Sequence, residues 1–154
     1  MGDLRATRTT TAVAGMALVA AVAFAGCGGS SSSAKVPATK QISVNWAAFF
    51  SARTPTAQRI TLLQDGSAFS AVIRAQAGSA LAKQASAKVL DVHTTSATAA
   101  TVTYDVLLSG SPVLKSQKGT AVLQHGTWQV GTASFCALLR LEGAAPPACT
   151  SAAG

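Results

Sequence analysis

Hydrophobic and polar positions follow three different patterns along this chain. From Ala12 to Ala25 there is no period: Ala, Val, Leu, Met and Phe follow one another without a charged residue. From Ile42 to Leu81 apolar residues recur at helical spacing. Trp46, Phe49 and Phe50 stand at i, i+3 and i+4, which predicts a short helix ending before Thr54-Pro55-Thr56. Pro55 suits the first turn of a second helix carrying Ile60, Leu62 and Leu63. Asp65-Gly66 ends it, with Gly66 where a left-handed backbone is cheap. Ser67 then caps a third helix carrying Phe69, Val72, Ile73, Ala77, Ala80 and Leu81, shortened by Gly78.

Beyond Ala87 the period becomes two. Leu90 and Val92 alternate with Asp91 and His93. Val102, Tyr104, Val106 and Leu108 share one face of the next strand, opposite Thr101, Thr103 and Asp105. Ser109-Gly110-Ser111-Pro112 reads as a turn, 119–124 as a third strand, and His125-Gly126 as a tight turn into a fourth strand at 127–130. A short helix at 134–141 presents Phe135, Leu138 and Leu139. Helices first and antiparallel strands afterwards predict an α+β domain over 41–150, its helices packed on one face of a curved sheet of four strands. Trp46, Phe49, Phe50, Leu63, Phe69, Tyr104 and Trp128 form the expected core, and 151–154 is a tail.

The first pattern is a targeting segment. Arg5 and Arg8 precede an apolar run about 21 Å long as a helix, too short for a hydrocarbon core of about 30 Å. Phe24-Ala25-Gly26-Cys27 resembles a bacterial lipobox, with Phe24 at a position usually held by Leu. The resemblance implies cleavage after residue 26, acylation of Cys27 and attachment to the extracytoplasmic face of the cell membrane. An ordinary secretory signal with an incidental cysteine is the alternative. Residues 27–40, rich in Gly and Ser, form a flexible tether on either reading.

Composition narrows the chemistry. Five Asp plus Glu among 154 residues disfavour carboxylate-rich metal sites and two-carboxylate catalysis. Removal of residues 1–26 leaves a formal charge of +6, but the basic residues are scattered and form no stripe, so nucleic acid is not an expected partner. His93 and His125 have no companion ligand at metal-binding spacing, and neither a metal nor a cofactor is expected. No Gly-x-Ser-x-Gly elbow and no Gly-rich phosphate loop occurs. Cys136 and Cys149 are an even pair in an exported domain, which favours a disulfide over two free thiols.

Several segments, in order, resemble the mycobacterial low-molecular-weight secreted antigen family and related actinobacterial lipoproteins. They are Phe49-Phe50 with Thr54-Pro55, Leu62 to Gly66 with Phe69, Ala87-Lys88-Val89, Val102 to Val106, and Gly126 to Val130 leading into Phe135 to Leu139. The resemblance implies an NTF2-like cone and supplies no catalytic residue. In such a cone Tyr104, Trp128, Trp46, Phe69 and Asp91 are the candidate cavity-lining residues, with an Asp91–His93 or Asp91–Tyr104 dyad conceivable. Two functions follow. One is a non-enzymatic envelope lipoprotein that binds an envelope protein or an apolar ligand, or is structural. The other is a small cavity enzyme or carrier for an apolar, lipid-like molecule. An enclosed pocket above about 300 Å³ holding Asp91 or Tyr104 is what the second requires.

Overall fold

Residues 36–143 and 145–151 are described by a computed structural model. Its first helix, α1 (Ala38–Phe50), begins inside the stretch read as tether. Polar Thr39, Lys40 and Gln41 conceal that first turn from the hydrophobic pattern. The buried stripe is Ile42, Trp46 and Phe49, with Phe50 half-buried beside it. A short α2 (Thr56–Thr61) follows, with Pro55 at the cap position just outside it.

The expected third helix is three pieces: a 3-10 turn (Gly66–Phe69), α3 (Ser70–Ala77) and α4 (Ala80–Gln84). Gly78 and Ser79 make the second break, and the Ser79 hydroxyl accepts from the Ala82 N–H at 3.0 Å. Ser67 caps nothing. The left-handed residue is Asp65 (φ 53°), not Gly66. Gly66 is needed for another reason: a Cβ there would collide with the Ile60 carbonyl.

Four antiparallel strands then form a meander in the order β1 (Ala85–Thr94), β2 (Ala99–Leu108), β3 (Ser111–Gln124) and β4 (Thr127–Val130). Two-residue turns join β2 to β3 and β3 to β4. Ser109-Gly110 has φ of 49° and 82°, and His125-Gly126 has 51° and 76°. Positive φ at both positions matches the right-handed twist of the flanking strands. Ser111 and Pro112 therefore belong to β3, which begins well before the expected residue 119.

Register shifts on both sides of β2 bend the sheet. The β1–β2 register shifts between Val89 and Asp91. That shift leaves Leu90 46% exposed, while Val89 and Val92 pack against the core. On the other side of β2, Ser116 takes a φ of 51° and donates its N–H to Asp105 Oδ1 at 2.7 Å. Such shifts increase local twist and curl a sheet. As a result α1 packs against both edge strands, β1 and β4, inside the curl. Asn45 fastens it there by donating to the Trp128 carbonyl at 2.8 Å.

The outer edge of β4 is closed by the segment after α2. Leu63 forms a parallel bridge with Val130, whose N–H donates to the Leu62 carbonyl at 2.8 Å. The Thr132 hydroxyl adds a 2.8 Å bond to the Gln64 carbonyl. The chain then enters α5 (Thr132–Leu141) and a short α6 (Ala148–Ser151) that the hydrophobic pattern did not reveal. A disulfide between Cys136 and Cys149 joins them. The architecture is thus α+β, helices followed by a curled four-strand antiparallel sheet, as the sequence predicts.

Candidate functional site

The cone itself is filled. Trp46, Phe69, Tyr104 and Trp128 are 1%, 2%, 2% and 4% exposed and lie in one continuous core. Trp46 stands edge-on to Tyr104 at 5.1 Å, and Phe50 stacks on Tyr104 at 5.6 Å. The Trp46 ring tip presses on Gly119, where a Cβ would lie 2.7 Å from it. Burial pushes the Tyr104 phenol up to about 12. These four aromatics pack the interior rather than line a cavity. Asp91 is exposed on edge strand β1, beside an open groove against Thr39, Lys40 and Val44 of α1. It alternates with the core-packed Val92 and so points outward, and neither dyad with Tyr104 or His93 forms an enclosed site. His93 and His125 are both exposed. Among the described residues no three His, Cys, Asp or Glu side chains come together. Cys27 lies outside the described residues.

The partly enclosed space lies at the helical end instead. A pocket of about 130 Å³ opens where the end of α1, α2, α3, α4 and α5 converge. Each wall has a local cause. The last turn of α1 supplies Phe49 and Phe50; Phe49 meets Phe135 edge-to-face at 5.5 Å, and Phe135 meets Phe69 at 5.6 Å. Ile73 comes from α3, and Leu138 and Leu139 from α5. The break at Gly78-Ser79 turns α4 across the pocket and sets Leu81, half exposed, on its rim.

Polar groups enter at three places, one of them Ser79, whose hydroxyl is already taken by the Ala82 N–H. Arg59 of α2 donates from Nη2 to the Ser51 carbonyl at 2.9 Å. Its Nε is buried without an acceptor, and burial lowers the pKa of the guanidinium. Gln76 donates to Glu142 Oε2 at 2.9 Å, which occupies the acid on the pocket wall. The arrangement offers an apolar surface with one cation, Arg59, and one carboxylate, Glu142, on its wall. The Ser79 hydroxyl on that wall is engaged by the Ala82 N–H and the Glu142 carboxylate by Gln76. None of these polar residues was singled out in the sequence. The one signal was Arg59 itself, a cation one position before the apolar run Ile60 to Leu63.

Residues 35–146 match the family model described as low molecular weight antigen MTB12, C-terminal domain. The chain belongs to this family. The antigen domain accounts for both helical and sheet layers, whereas Cys149 and α6 lie just past the matched residues. No curated protein and no solved structure matches the chain. Membership of an antigen family points to a secreted or envelope protein. Among the described residues no helix is long and apolar enough to cross a membrane.

Proposed function

We propose that the protein is an exported cell-envelope lipoprotein, held to the membrane through Cys27, whose domain is a non-enzymatic binding module for a small apolar molecule. The observation that carries the binding reading is the Phe- and Leu-lined pocket at the helical end, beside a cone otherwise packed shut. The antigen family and the Phe24-Ala25-Gly26-Cys27 junction support the envelope location. An NTF2-like kinship belongs to this proposal and rests on the order of helices and bent sheet. The cavity-enzyme reading is the weaker one, because Tyr104 is sealed in the core and Asp91 stands outside it.

Two measurements test it. Cys27→Ala should move the exported protein from the membrane fraction to the soluble fraction, and unchanged partition refutes the anchor. Apolar pockets of about 150 Å³ bind benzene or xenon. Benzene added to the purified full chain should therefore shift the methyl resonances of Ile73, Leu81 and Leu138. Absence of any such shift rejects the binding module.

A further inference from the structure

We propose that the face made by Val36, Lys40 and Val44 at the start of α1 and by Leu90 of β1 docks on the surface of an anionic lipid bilayer. This inference rests on the Cys27 anchor and adds the side of the domain that meets the membrane.

Exposed apolar side chains gather at this face. Among the described residues six large apolar side chains are exposed, and Val36, Val44 and Leu90 are three of them, at 48%, 57% and 46%. They line two adjoining open grooves that share Lys40 and Val44, one against β1 and the other beside Gly126 and Thr127. Leu90 is there because the β1–β2 register shifts beside it. Apolar side chains exposed in one contiguous patch mark a contact surface.

The length of chain before α1 selects the partner. Val36 stands nine positions after Cys27. Nine residues reach at most about 32 Å even when fully extended. With Cys27 acylated, the bilayer is never farther than that from the start of α1. It is present at the high effective concentration of a tethered partner, so a small patch is enough to hold the contact. Charge points the same way. Lys40 lines both grooves, Lys88 is exposed two positions before Leu90, and Lys35 adjoins Val36 in the sequence. Asp91 is the single acid among the residues that line the two grooves. Three lysines against one aspartate, on a chain of formal charge +6 from Cys27 onward, favour an anionic surface. The apolar pocket lies elsewhere: its Phe49 and Phe50 stand at the other end of α1, about 20 Å along the helix.

The test places the acylated full chain in vesicles of phosphatidylglycerol or of phosphatidylcholine. A nitroxide is attached at Thr39→Cys, an exposed position lining one groove, or at Leu141→Cys, exposed at the pocket end and outside both grooves. Accessibility is read with a neutral, water-soluble nickel chelate. The label at 39 should be shielded in phosphatidylglycerol and open in phosphatidylcholine and in detergent, and the label at 141 should be open in all three. Lys40→Gln should lower the ratio of shielded to open label about fivefold, the value of one lysine beside an anionic surface. Leu90→Asp should abolish the shielding while the chain still sediments with the vesicles. Equal accessibility at 39 in the two kinds of vesicle, in a chain that sediments with both, overturns the docking face and leaves the anchor standing. Shielding in detergent that grows with protein concentration assigns the face to a second copy of the chain and overturns the inference as well. A chain that sediments with neither vesicle shows that the anchor itself is wrong, and the inference falls with it.

Discussion

Tyr104 is the single tyrosine of the chain, so its ionisation can be followed alone. Its folded pKa is raised by burial from 10.0 to about 12. Between those values the unfolded chain has lost the phenolic proton and the folded one has kept it. Stability is therefore unaffected below pH 10 and falls as pH rises from 10 toward 12, by about 1.4 kcal/mol per pH unit. Tyrosinate absorbance should appear together with unfolding, and a midpoint near 10 in the folded protein contradicts its burial. Gly119 offers a second check. An added Cβ would meet the Trp46 ring tip at 2.7 Å and Ser134 Oγ at 3.0 Å. Gly119→Ala should cost about 1–3 kcal/mol in denaturant unfolding, and less in a Trp46→Phe background, where the ring is shorter. The inward direction of Tyr104 was legible because β2 alternates cleanly. The outward direction of Asp91 was legible too, since it alternates with Val92; the outward turn of Leu90 was not, because the register shift comes from pairing with β2 and leaves no mark in the hydrophobic pattern. Arg59 was hidden likewise: its burial comes from α2 folding back on Ser51, a tertiary event.

Elements with a strong period were legible in kind, and the errors sit where polar residues occupy regular structure. The first half of β3 carries Lys115, Ser116, Gln117 and Lys118, with Ser116 left-handed, so nothing there alternates. The third helix failed to run through because Gly78-Ser79 is a better break than its apolar stripe is a bond. At the C-terminus, α6 follows directly on Pro146-Pro147 with no apolar period to announce it, and its Cys149 is bonded to Cys136. Both cysteines are 1% exposed, and Arg140 donates to the Cys149 carbonyl at 3.1 Å. Cys149→Ser should therefore free α6 and cost about 3 kcal/mol, the chain-entropy value for a loop of this length. Thermal unfolding with and without reductant checks it: the unaltered protein should lose stability in reductant, and the variant should not respond.

At the scale of the molecule, the family, the α+β class and the order of layers could be read from the chain, but the way the cone is closed could not. Periodicity says which residues turn inward, not whether they meet. Here they meet, and the partly enclosed space lies at the helical end, lined by Leu81 and Ala82 of α4 and by Ala85 at the start of β1. Filling that space tests the placement. Ala82→Leu should abolish benzene-induced methyl shifts while altering stability by less than about 1.5 kcal/mol, since the added volume enters a void. The enclosure of α1 has one more effect. A polypeptide is made from its N-terminus, so the residue that grips the sheet, Asn45, is synthesised long before its acceptor Trp128, 83 positions on. The partners of Trp46, Phe50 and Phe49, namely Tyr104 and Phe135, are also synthesised well after α1, so the contacts that cover this helix are distant in sequence. Contacts of such long range slow folding and leave this apolar face to be covered only once the sheet has been made.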